Sequence, residues 1–120
     1  MTTQEVANRF MELANEGKFD AIQDELYAQD CESIEPTHAA AAGLSNVKGM
    51  AAIKEKSKKF NESIEEMHGG FTGEPIVAGN YFAVPMGMDA TMKGMGRTKM
   101  DEIAVYEVKD GKITKEQFFF

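Results

Sequence analysis

Apolar residues recur at steps of three and four through the first half of the chain and at steps of two through the last third. Val6, Phe10, Leu13 and Ala14 set the first helical stripe. Thr2 and Glu5 before it have capping-box spacing, and Gly17 ends it. Phe19, Ile22 and Leu26 predict a second, short helix with acidic residues opposite. Cys31 to Thr37 reads as a strand that Pro36 ends or keeps at an edge. His38 to Asn46 is rich in Ala and Gly without a clear period, and reads as a partly helical loop folded over something. Met50, Ile53, Ser57, Phe60, Ile64 and Met67 then draw one stripe along a long helix, which Gly69-Gly70 stops.

From Phe71 the grammar is that of strands. Gly79-Asn80 and Asp110-Gly111 each sit between β-type runs and offer the positive φ angles of two-residue hairpins. A third reversal falls at Lys93 to Arg97, around Gly94 and Gly96. The expected meander is Glu74–Ala78, Tyr81–Met92, Thr98–Val108 and Lys112–Phe120. Phe82, Val84, Met86, Met88, Ala90 and Met92 share one face of the second strand. On the third strand Met100, Glu102, Ala104, Tyr106 and Val108 oppose Asp101, Ile103, Val105 and Glu107. Helices followed by strands predict an α+β fold: three helices on a strongly curved, mostly antiparallel sheet, shaped as a cone around an apolar pocket. Both sheet faces carry apolar residues, so a homodimer through the outer face is expected.

Length and composition narrow the partners. At 120 residues the chain has room for one domain, 1–120, and one core. Its net charge of −7 repels phosphate backbones. The lysines at 54, 56, 58 and 59 are interrupted and followed by glutamates, as on a solvated helix face. Nucleic acid is therefore not expected as a partner. No membrane is expected either, since no apolar run approaches the roughly 18 residues of a span. A polar N-terminus and a single cysteine, Cys31, point to the cytoplasm.

Particular stretches resemble the NTF2-like superfamily and its SnoaL-like branch. They are Arg9-Phe10-Met11-Glu12-Leu13, Gly17-Lys18-Phe19-Asp20-Ala21-Ile22, Leu26-Tyr27-Ala28-Gln29-Asp30 and Ile34-Glu35-Pro36. Lys48-Gly49-Met50-Ala51-Ala52-Ile53 resembles the start of the family's third helix. Asp101-Glu102-Ile103 through Lys109-Asp110-Gly111-Lys112-Ile113 resembles its last hairpin. The resemblance covers nearly the whole chain and implies the fold more strongly than any activity, because this fold hosts isomerases, cyclases, dehydratases and binding proteins.

The resemblance to ketosteroid isomerases puts Glu35 where an acidic base stands. A carboxylate in an apolar pocket loses solvation, its pKa rises, and it becomes a useful base near neutral pH. The alternative is a Glu35 that points to solvent beside Pro36. The same resemblance implies a tyrosine where Phe10 stands and a neutral acid where Ala104 stands, and neither Phe nor Ala donates a hydrogen bond. Tyr106 and Glu102 share the parity of Ala104 and are the candidate substitutes. His38 is a candidate acid or base, or else an exposed loop histidine. His68 reads as a cation at a helix C-terminus.

Five methionines, Met86, Met88, Met92, Met95 and Met100, lie close together in sequence; such thioethers suit an adaptable wall, or fill a core. The expected ligand-binding residues are Phe10, Phe82, Met86, Met88, Ala104, Phe118 and Phe120. No metal is expected, because Cys31, His38 and His68 lack the short spacing of ligands. No cofactor is expected, since Gly94-Met95-Gly96 is not followed as a phosphate loop would be. Cys31 has no evident base partner. Three functions stay open: a pocket for a small apolar molecule, an isomerase- or cyclase-type enzyme using Glu35, and a non-catalytic dimerisation module.

Overall fold

The Thr2 hydroxyl accepts from the Glu5 N–H at 3.2 Å, and the Glu5 carboxylate accepts from the Thr2 N–H at 2.8 Å. This box opens α1, Thr3–Asn15, in the computed structural model, which describes residues 1–120 apart from the side chains of Ala41 and Ala42. The helix buries Val6, Ala7, Phe10, Leu13 and Ala14. Gly17, at φ 72°, turns the chain into α2, Phe19–Leu26, which buries Ile22 and Leu26. A strand follows with no loop between: β1 is Tyr27–Ile34. It starts earlier than the expected Cys31 and stops short of Pro36, which instead precedes a 3-10 turn at Thr37–Ala42. The remaining elements are β2 (Val47–Lys48), α3 (Met50–Glu62), β3 (Ile64–Thr72), β4 (Ile76–Ala78), β5 (Tyr81–Met92), β6 (Gly96–Lys109) and β7 (Lys112–Phe119).

The long helix expected to run to Met67 ends at Glu62, and Ile64 to Thr72 form a strand on β5. The electrostatics explain the stop. Glu65 and Glu66 would fall in the last turn of a longer helix, at the negative end of its dipole. The Ser63 hydroxyl donates to the Phe60 carbonyl at 2.5 Å, and Ile64 then pairs with Met92. Gly69 and Gly70 are thus not a helix stop but part of β3. A Cβ on Gly70 would stand 2.9 Å from the Gly87 carbonyl oxygen, so the strands approach too closely there for a side chain. His68 caps no helix: it is exposed on β3, its Nε2 2.7 Å from the Thr91 hydroxyl.

The sheet runs β2-β1-β7-β6-β5-β3, with β4 also on β5. It is curved, unclosed and mixed, because β1 pairs with β7 in parallel while the other neighbours are antiparallel. Asp110 and Gly111 both take positive φ at the β6–β7 turn, as expected; at β4–β5 Gly79 alone does. Register on the inner face places side chains in rows across the strands. Glu116, Tyr106 and Phe82 form one row; Phe118, Ala104 and Val84 the next; Glu102 and Met86, then Met100 and Met88, those towards the far end. The three helices cover this face, and Phe10 of α1 meets the first row with ring centroids 5.6 Å from Phe82 and 4.9 Å from Tyr106. Among the described residues no helix is long and apolar enough to cross a membrane.

The aromatic row is the centre of the core. Phe82 is 1% exposed and stacks on Tyr106 at 4.9 Å. Phe82→Ala should therefore lower unfolding free energy by about 3–5 kcal/mol in urea denaturation. A loss below about 1 kcal/mol would show that the row does not organise the core.

Candidate functional site

Where α2 and α3 diverge from the far rows of the sheet, they leave a cavity of about 520 Å³, open to solvent at its mouth. Met86, Met88, Met100 and Phe118 wall it from the sheet, with Ile64 from the start of β3 and Phe60 from the end of α3. One group of polar side chains gathers on β1, α3 and β7, while Asp20, Gln23, Asn61, Thr72 and Glu102 lie elsewhere on the wall.

Glu116 is the centre of that group. The β6–β7 register slips by one residue between Glu107 and Val108, leaving Thr114 as the extra residue of a bulge. Strict alternation from the buried Ile113 would turn Glu116 outward. The bulge instead puts Glu116 and Phe118 on the inner side with Ile113. Glu116 is 4% exposed, and both carboxylate oxygens are satisfied: Tyr27 donates its hydroxyl to Oε1, and Ser33 donates to Oε2 at 2.6 Å. Lys56 of α3 donates to the Ser33 hydroxyl and to Glu35 Oε1 at 2.9 Å, with the Lys56 and Glu35 side chains 12% and 7% exposed. It also reaches the Ser45 carbonyl at 3.5 Å, and its ammonium lies 5.8 Å from the Phe118 ring centroid. One ammonium therefore serves two carboxylates, one directly and one through a hydroxyl.

Glu102 is placed differently. It faces the cavity beside Met86 and Met100, with no hydrogen-bond or ion-pair partner among the described residues. Burial, then the charges of Glu35 and Glu116, push its carboxyl from an ordinary 4.5 up to about 7. Burial also raises Glu116, against the hydrogen bonds from Ser33 and Tyr27. The phenols of Tyr27 and Tyr106 are raised chiefly by burial and next by the Glu116 charge, so both keep their protons.

The expected residues divide by position. Phe10, Glu35, Met86, Met88, Glu102, Tyr106, Phe118 and Phe120 line the cavity. Phe82 and Ala104 do not reach it: both are packed in the core, behind the wall, where α1 lies against the sheet. His38 is exposed at the rim, its ring edge-on to Phe120 at 5.3 Å. Glu35 is turned inward rather than to solvent, but as the ion-pair partner of Lys56. Burial, then nearby carboxylates, pushes the Cys31 thiol up to about 12, so it is a poor nucleophile. Among the described residues no three His, Cys, Asp or Glu side chains gather as metal ligands would.

Four members of the polar group escaped sequence reasoning. Glu116 shares the parity of Phe118 and Phe120, Ser33 that of Glu35, and Lys56 sits three residues after Ile53 and four before Phe60, within the helix stripe. Those spacings were the available signals. Tyr27 had none, because it lies where helix passes directly into strand.

A family model described as a SnoaL-like domain matches residues 1–120. A protein from Mesorhizobium loti, named for the SnoaL-like polyketide cyclases, is 35% identical over 100% of both chains, with a TM-score of 0.88. TerC, solved with polyporic acid, is 21% identical, with 98% of this chain and 90% of that one covered and a TM-score of 0.76. A Catenulispora acidiphila protein of ketosteroid isomerase-like fold, solved with trimethylamine, is 18% identical. That alignment covers 83% of this chain and 72% of that one, with a TM-score of 0.67. Proteins described as NTF2-like and as cystatin-like share the fold. No curated protein matches the chain.

The raised Glu102 has a measurable cost. The native state holds its proton between an ordinary 4.5 and about 7, where the unfolded chain has released it. Stability therefore falls as pH rises through that window. Glu102→Gln should match the wild type near pH 4 and exceed it near pH 8 by about 1–2 kcal/mol, after discounting for partial exposure. Equal stability at both pH values, by chemical denaturation, would mean that Glu102 is solvated like a surface carboxylate.

Proposed function

The chain belongs to the SnoaL-like domain family, and on that premise we propose that it holds a small, mainly apolar organic molecule in the cavity between α3 and the sheet. The observation that carries this reading is the construction of the site: a volume of about 520 Å³ with methionine and phenylalanine walls and a smaller set of polar side chains among them. Such an arrangement removes apolar surface from water while a few fixed polar groups orient the ligand. Flexible thioethers at Met86, Met88 and Met100 adapt the wall to an irregular shape. That solved structures of the same fold hold an acid and an amine supports small organic ligands as a class and favours neither charge.

One observation favours a second reading, acid–base chemistry of isomerase or cyclase type. The carboxyl raised to about 7 belongs to Glu102, whereas Glu35 is held by Lys56. In this reading Glu102 carries the proton, in place of Glu35, and Tyr106 supplies a hydrogen-bond donor.

The dimer remains part of the proposal. On the outer face Ile103 pairs in register with Pro85 and Phe119, and Tyr81, Ile103 and Phe119 are 49%, 50% and 49% exposed. An apolar strip of this kind supports a second copy packed against the sheet.

A thermal-shift screen of apolar carbonyl compounds, acids and amines tests the cavity. Several ligands should raise Tm by a few degrees, and Met88→Trp, which fills the cavity, should abolish the shifts. No shift across a broad set would sink the binding reading. Running the hits in D₂O with NMR detection separates the enzyme: proton exchange next to a carbonyl that disappears in Glu102→Gln supports it, and its absence leaves binding alone. Sedimentation at micromolar concentration should give a dimer that Ile103→Asp dissociates; a wild-type monomer would remove the role given to the outer face.

A further inference from the structure

We propose that the molecule held in this cavity is an organic cation, an ammonium on an apolar body, with its charged end on Glu102. The inference rests on the binding reading above and adds the ligand's charge.

The balance of charge on the wall carries it. Four acidic side chains line the cavity: Asp20 from α2, Glu35 just beyond β1, Glu102 from β6 and Glu116 from β7. Lys56 of α3 is the one basic side chain on the wall among the described residues. Its ammonium has three protons and three acceptors, Glu35, Ser33 and the Ser45 carbonyl, so an incoming anion finds no unengaged proton on it. Glu116 is satisfied on both oxygens by Tyr27 and Ser33. Glu102 is left, facing the open volume with no partner, flanked by Met86 and Met100. A half-buried carboxylate without a partner is partly desolvated, which is costly, and a ligand that supplies the opposite charge offsets that cost on binding. Phe60, Phe118 and Phe120 on the same wall offer aromatic surface, which tolerates a cation better than an anion.

An anionic ligand would face four acidic side chains and a single lysine that is already engaged with Glu35. A neutral carbonyl ligand is the serious competitor, because a protonated Glu102 could donate to it. The two differ in their dependence on pH. The cation needs Glu102 ionised, so its affinity rises with pH through about 7, whereas the carbonyl needs it protonated and loses affinity over the same range. The other groups facing Glu102 are Glu35, Glu116, Lys56 and Tyr106, while β5 and the start of β3 present Met86, Met88, Ile64 and Met67, which carry no charge. His38 stands at the rim against Phe120, where a positive charge would also repel a cation. A His38→Asn variant separates the two.

One skeleton with three head groups provides the test: 1-naphthylmethylamine, 1-naphthalenemethanol and 1-naphthoate, titrated calorimetrically into the wild type at pH 8 and pH 6. The amine should bind at least about tenfold more tightly than the alcohol at pH 8, with the acid weakest. The preference should shrink towards pH 6 in both wild type and His38→Asn. Glu102→Gln should bring amine and alcohol together at pH 8, while alcohol binding shows that the variant is folded. Equal amine and alcohol affinity at pH 8, a preference for the acid, or an amine preference that survives Glu102→Gln would overturn the charge assignment and leave the binding reading intact. Silence from all three probes and from the wider screen would overturn both.

Discussion

A carboxylate cannot be buried between strands and helix unless something compensates its charge, and Glu116 imposes that condition on three elements at once, β7, β1 and α3. Tyr27 and Ser33 of β1 answer it from one side, and Lys56 of α3 reaches it through Ser33. The same ammonium clamps Glu35, at the exit of β1, to α3. The chain Tyr27–Glu116–Ser33–Lys56–Glu35 therefore fixes the height of α3 above the sheet. Because α3 buries only Ile53 completely, its apolar stripe alone is a weak anchor. Removing one member of a buried charged network leaves its partners unpaired, which is why such groups act together.

Holding α3 by its polar side has a geometric consequence. The helix touches the sheet through Lys56 near β1 and β7, while its C-terminal end, with Phe60, stands over the far rows without filling the space beneath. The cavity is that space. It is bounded on the core side by the Phe10–Phe82–Tyr106 cluster, which packs α1 against the sheet and closes the interior there. Core and cavity are thus two ends of one inner face, and the polar network marks the division between them.

Much of this was legible from residue spacing. The α1 box, both helices of the first hairpin, the reversals and the parity of β5 and β6 follow from local rules. The stretch 64–72 did not, because Ile64 and Met67 continue a helical step while the same residues can pair with β5, and an unpaired edge of β5 decides the matter. The glutamates at 65 and 66 were the contrary signal, an electrostatic one that periodicity does not weigh. The site was less legible than the fold. Its residues are charged or hydroxylic, so they read as solvated positions, and Glu116 turns inward only because of a bulge at Thr114. Glu35 was found by resemblance, which supplies a position; that Lys56 pairs with the carboxylate there was not legible from it.

The position of the unpaired acid bears on the kind of ligand that fits. Where the resemblance leads one to expect a neutral acid, this chain has Ala104, sealed in the core, and the next acid on that face is Glu102, one row further along. Glu102 and Tyr106 are four residues apart on one strand, a backbone separation of about 13 Å. A single carbonyl oxygen is an awkward fit for two groups so spaced, so Tyr106 and Glu102 do not make a compact oxyanion site. A longer molecule suits them better, with one end near the tyrosines and the other on Glu102, and its body along Met86 and Phe118. In that arrangement Glu102 bears a cost in the empty protein that its ligand relieves, and affinity is drawn from the instability of the unliganded site.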